Sequence, residues 1–85
     1  MTPSIDPLLP GRINKSRKML WGWLVSVDIG KVDAAMTEAI AEAELGALGT
    51  LCENAPPDEF DQLLVLIRDW EALRLKMARL NQGEQ

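Results

Sequence analysis

Glu38 and Glu42 stand four residues apart, the spacing that sets two carboxylates on one side of a helix, and Asp58, Glu59 and Asp61 crowd a second short stretch. Paired carboxylates can divide acid and base work or share a cation. Either task needs further groups converging on one point, with protonation tuned by their surroundings. The chain supplies few. It has no histidine and no tyrosine, so the commonest general base and a common acid are missing. Ser4, Ser16 and Ser26 have no Gly-x-Ser-x-Gly context, and there is no glycine-rich phosphate loop. The carboxylates therefore read as a solvated helix face and as first-turn charges that complement a helix dipole. Cys52 falls at the end of an acidic helix, where a thiolate is disfavoured, and is expected to be a buried, inert thiol. It is the single cysteine, so no intrachain disulfide forms, and without histidine a Cys/His zinc site is excluded. The expectation is a protein that is not an enzyme, with no cofactor and no metal.

Charge is unevenly spread. The net charge is −4, yet residues 12–31 carry Arg12, Lys15, Arg17, Lys18 and Lys31 against Asp28 alone. Residues 32–67 then carry Asp33, Glu38, Glu42, Glu44, Glu53, Asp58, Glu59 and Asp61 with no Lys or Arg. A basic start is followed by an acidic middle and a mixed end.

The junction of these zones, "SRKMLWGWLVSVDIGK" at residues 16–31, admits several readings. As a secretion signal it lacks a small-x-small cleavage site and runs straight into Asp28. As a membrane span it falls well short of the ~20 apolar residues required. As a strand it alternates well through Trp21, Trp23, Val25, Val27 and Ile29, but the chain offers no second strand, so only antiparallel pairing with another copy could complete it. As a helix it aligns Ile13, Leu20, Leu24 and Val27 in one buried stripe, with Trp21 and Trp23 on opposite shoulders and Gly30 as the stop. The helix reading has the fewest loose ends.

Three helices follow from patterning, at about residues 13–29, 31–53 and 57–81. Before them, residues 1–11 carry Pro3, Pro7 and Pro10 and read as an extended arm whose Ile5, Leu8 and Leu9 could dock in a groove. In the second helix Val32, Met36, Ala39, Ile40, Ala43, Ala47 and Leu51 predict one apolar face. Ala35, Ala39, Ala43 and Ala47 form a small-residue ridge suited to close helix approach. Gly46 and Gly49 suggest a close contact or a bend, and Pro56 and Pro57 end the element. The third helix starts with Pro57 in the favoured first turn and repeats Phe60, Leu63, Ile67, Trp70 and Met77. Its block Leu63–Ile67 is apolar all round and needs cover on every side. Leu66, Leu73 and Leu80 keep a seven-residue interval, too short a run for a zipper and best read as core. Residues 82–85 read as a frayed polar tail, leaving 12–81 as a single helical domain.

The fold class is thus all-α: a small three-helix bundle, or a helical hairpin with an extra N-terminal helix and the proline-rich arm. A chain of 85 residues sits near the lower limit for a self-sufficient core. Its apolar surface exceeds what three short helices can hide, which predicts packing as a homodimer or higher homo-oligomer.

Function is then expected to be binding. Trp21, Trp23 and Trp70 are candidate anchors, since tryptophan is enriched among residues that dominate binding energy; Leu8 and Leu9 of the arm are further candidates. Trp23 and Trp70 read more simply as core. Secretion chaperones, enzyme inhibitors, adaptors and small phage-encoded proteins that disarm host machinery all share this description, in the cytoplasm and without a membrane. Two charge-based alternatives exist. Arg12, Lys15, Arg17 and Lys18 could contact phosphates with a tryptophan stacking nearby, although the acidic total repels a polyanion. Conversely, Glu38, Glu42 and Glu44 could imitate nucleic acid and fill the basic groove of a protein partner.

Overall fold

The computed structural model describes residues 8–83, and among them three helices account for nearly all the chain: α1 (Leu9–Asp28), α2 (Ala34–Cys52) and α3 (Pro57–Asn81). No strand occurs among the described residues. The chain is an all-α bundle.

α1 starts four residues earlier than the patterning suggested. Leu9, Pro10 and Gly11 are helical rather than part of an extended arm. A proline in the first turn loses no hydrogen bond, because its missing N–H would be unpaired there anyway. Arg12 N–H donates to Leu8 O at 2.9 Å and closes that turn. Burial supplies the driving force: Leu9 joins Ile13, Ser16 and Leu20 on a buried stripe stepped by four, three and four. Residues 1–7, including Ile5 of the expected arm, lie outside the described residues.

The end of α1 is a Schellman motif. Gly30 takes φ +75°, its N–H donates to Val27 O at 3.0 Å, and Lys31 N–H donates to Ser26 O at 2.9 Å. The expected stop at Gly30 holds. Lys31 and Val32 do not begin α2, because Asp33 is its N-cap, with extended backbone and a carboxylate accepting from Met36 N–H at 3.1 Å. Free N–H groups in a first turn favour an Asp at this position. At the far end α3 begins at Pro57, as expected, with Asp58 and Glu59 in its first turn. It closes through Gln82 N–H to Ala78 O and Gly83 at φ +80°. Gln82 and Gly83 are therefore a capping turn rather than a frayed tail; residues 84–85 lie outside the described residues.

α2 and α3 form an antiparallel hairpin with the most extensive packing in the molecule. α1 lies along it, antiparallel to α2 and parallel to α3, with Arg17 reaching Gln62 near the start of α3 and Asp28 lining the same groove as Lys76 near its end. The core comprises Leu9, Ile13 and Leu20 of α1, Ala41 and Leu48 of α2, and Leu63, Leu66, Trp70, Leu73 and Met77 of α3. Of the stripe expected for α3, Leu63, Trp70 and Met77 are core and Ile67 is half-buried, whereas Phe60 near the start of the helix is exposed; Leu66 and Leu73 serve the intramolecular core while Leu80 is exposed.

The face expected for α2 is right only at its edge, where Val32, Ile40 and Leu51 pack half-buried against the core. Ala35, Ala39, Ala43 and Ala47 are all exposed, as is Met36, while Thr37, Ala41 and Leu48 are buried with Leu45 and Cys52 beside them. Apolar residues surround most of this helix, so periodicity cannot select a side. Bulk selects it: turning two leucines inward removes far more surface from water than turning four alanines inward. In the block Leu63–Ile67 the hairpin and α1 cover Leu63 and Leu66, whereas Leu64 and Val65 stay exposed. Two helices do not suffice to cover it.

Candidate interaction surface

α1 carries two stripes. The first, Leu9–Ile13–Ser16–Leu20, is the core face. A second, Trp21–Leu24–Val25, repeats at the i, i+3, i+4 spacing on a different side of the same helix. Trp21 is 69% exposed, Leu24 42% and Val25 45%. Leu24, assigned to the buried stripe from sequence, is corrected here: after Leu20 the helix has no fully buried residue, and Trp23 and Val27 are only half-buried against the core. The second stripe borders α3, where Val65 is 50% exposed. Two contiguous grooves run between the helices. One of about 660 Å³ lies among Arg17, Leu20, Trp21, Val65 and Leu66. The other, of about 600 Å³, continues past Leu24, Val25, Asp69 and Ala72 to Asp28 and Lys76. Apolar surface of this extent on a small protein marks an interaction site more often than a solvated face.

The three tryptophans take three different environments. Trp21 is the exposed one. Trp23 is half-buried and packs toward α2, in a shallow cleft with Met19, Ser26 and Ile40. Trp70 is fully buried, its indole Nε1–H donating to the buried Ser16 Oγ at 2.9 Å. Trp70 and Leu9, both candidate anchors, are buried in the core of the bundle and not on its surface. Leu8 is exposed just ahead of α1.

The charged candidates do not converge. Glu38 accepts from Asn81 Nδ2 at 2.6 Å, and Glu38 and Glu42 lie close enough to Arg74 to help hold its guanidinium protonated. The larger influence on Arg74 is its hydrogen bond to Glu71, which in turn holds the Glu71 carboxyl below its ordinary value. Glu44 instead faces α1, in a cleft of about 570 Å³ shared with Arg12 and Lys15. The basic residues split likewise. Arg12 and Lys15 border α2, while Arg17 and Lys18 line the α1–α3 groove. Arg17 donates to Asn14 Oδ1 at 2.9 Å and Gln62 Oε1 at 3.3 Å. Neither four cations nor three carboxylates share one face.

Among the described residues no cluster of His, Cys, Asp or Glu could hold a metal ion, and no helix is long and apolar enough to cross a membrane. Cys52 is half-buried against the core, and burial pushes its thiol above the ordinary value. It is a packing residue with a disfavoured thiolate. Sequence reasoning missed Leu24, Val25 and Val65 as surface residues. The available signal was the second i, i+3, i+4 stripe of α1, too many apolar positions for one buried face. Compared with known proteins, the chain matches no family model, and no curated protein or solved structure matches it at significance.

Proposed function

We propose that this chain is a non-enzymatic helical protein that works by protein–protein contact through the α1–α3 groove, as an inhibitor, adaptor or chaperone. The observation that carries the reading is Trp21, exposed at the centre of an apolar stripe that its own fold leaves uncovered. Exposing a tryptophan and three aliphatic side chains together is unfavourable in water, and a partner removes that cost. Tryptophan is also the residue type most enriched where truncation damages binding. On this reading the compartment is the cytoplasm, where a single thiol stays reduced.

The charge-based alternatives have weaker support, because their residues are divided between two flanks of α1 and between Arg74 and α1. One experiment separates the readings. Tagged wild-type protein, a Trp21→Ala variant and a Glu38→Gln/Glu42→Gln/Glu44→Gln variant are compared for retained partners in extract of the native cell. Loss of retained protein with Trp21→Ala alone is expected. Loss with the carboxylate variant alone replaces the groove by acidic mimicry, and retention of nucleic acid only replaces both.

A further inference from the structure

We propose that the occupant of this groove is a second copy of the chain, docked α1 against α1 in antiparallel register, with Trp21 facing the partner's Leu24 and Arg17 facing the partner's Asp28. The inference rests on reading the α1–α3 groove as a protein-contact surface.

A two-fold interface requires one patch to be complementary to itself, residue i meeting j while j meets i. For two antiparallel helices this means every contacting pair must share one midpoint along the sequence. Trp21 and Leu24 are centred between Gly22 and Trp23. Arg17 and Asp28 are centred on the same point. At ~100° per residue all four project within about 60° of one another, so they occupy one face. The charged residues then lie about 8 Å along the axis on either side of the apolar centre. Along α1 the patch thus runs basic, apolar, acidic, while Asp69 and Lys76 of α3 line the opposite wall of the groove; inverting a copy brings the basic end of α1 over the acidic end at both ends. A parallel copy would instead set Arg17 on Arg17 and Asp28 on Asp28, which like-charge repulsion disfavours.

The charged groups are available. Asp28 is exposed and has no ion-pair partner among the described residues. Arg17 uses one N–H each at Nη1 and Nη2 on neutral acceptors, leaving three of its five donors. Size fits a weak dimer. Trp21 alone presents on the order of 150 Å². Leu24, Val25 and Val65, each about half exposed, and the charged rim extend the patch but leave it short of the ~800 Å² per partner of a standard interface, as for a concentration-dependent, micromolar association. The exposed ion pairs set orientation and register more than affinity.

The test uses the full-length chain in sedimentation velocity from about 1 to about 100 µM, a range that brackets micromolar dissociation constants, at roughly 0.15 M salt to screen distant charges. Wild type is expected to form dimers within this range. Trp21→Ala should weaken dimerisation by about 30-fold or more. Because Trp21 is exposed, the variant should keep the wild-type circular dichroism and melting curve; Val25→Glu is the second variant should it not. Arg17→Glu and Asp28→Arg should each weaken their own dimer. An equimolar mixture of those two variants should recover it by about five-fold or more, since both reversed charges then meet an opposite charge.

A wild-type monomer at about 100 µM overturns the inference, as does a dimer indifferent to both Trp21→Ala and Val25→Glu. A dimer that those variants weaken but the charge-reversed mixture does not restore overturns the antiparallel register. The reading of the groove survives a monomeric result if partner capture still depends on Trp21, and falls with it if capture does not.

Discussion

Among the described residues, Ser16 and Trp70 make the one buried side-chain pair that joins α1 to α3 by a hydrogen bond. An indole N–H in the core needs an acceptor, and a serine on the buried stripe of α1 supplies it without the bulk of a larger polar residue. Ser16→Ala leaves the N–H unpaired in apolar surroundings and is expected to cost about 1–3 kcal/mol. Thermal unfolding should show this as a melting point lower by roughly 4–8 °C per kcal/mol for a chain of this size. In a Trp70→Phe background, where no N–H is left to satisfy, the same substitution should cost clearly less. Thr37 presents the opposite case. It is fully buried on α2, and its Oγ1 has no hydrogen-bond partner. Thr37→Val replaces a stranded hydroxyl with a methyl of similar volume and is expected to stabilise by about 1 kcal/mol, measurable as a higher urea midpoint at unchanged slope.

At the scale of elements, each boundary has a chemical cause. Pro10 and Pro57 sit in first turns, Asp33 caps α2, and Gly30 and Gly83 take the positive φ that a helix terminus needs. Gly30 has open space around its Cα, so an added methyl would clash with nothing outside the local backbone. Its requirement is conformational. Gly30→Ala is therefore expected to lower stability by about 1 kcal/mol through the strained left-handed backbone alone. The α1–α2 connection would loosen at the Lys31 N–H to Ser26 O bond, and chemical denaturation with fluorescence of the tryptophans would register the change.

At the scale of the whole bundle, the described residues form a rod of 53 × 19 × 17 Å in which the α2–α3 hairpin makes the greater part of the packing and α1 is the lesser partner. After Leu20, α1 has only Trp23 and Val27 as half-buried contacts. Regions with few buried apolar contacts open at lower free energy than core helices. Amides of residues 22–28 are thus expected to exchange with deuterium faster than those of residues 66–77 at micromolar dilution. Protection of 22–28 should rise with protein concentration as a second copy covers Trp21 and Leu24. Equal protection of both segments at every concentration would contradict this picture of α1.

Much was legible from local chemistry alone. The class, three helices, the stops at Gly30 and Pro56, and the start at Pro57 follow from φ preferences and missing N–H groups, which act within a few residues. So does most of the buried stripe of α3, where Leu63, Trp70 and Met77 follow the helical period, although the block Leu63–Ile67 is apolar all round and Phe60 stays exposed. The absence of His and the single Cys likewise depend on inventory. What required tertiary structure were the choices between chemically similar alternatives. Apart from the side that carries Glu38 and Glu42, α2 offers apolar residues around most of its circumference, and only the competition for burial in three dimensions turned Leu45 and Leu48 inward and left Ala35, Ala39, Ala43 and Ala47 outside. Leu9 became core because α1 could extend back to reach it, and Trp70 is buried on the core face of α3, its N–H satisfied by Ser16, while Trp21 lies on a side of α1 that neither other helix covers. A residue's type states how strongly it prefers to leave water; which of several equal claimants succeeds is decided by the space the other two helices enclose.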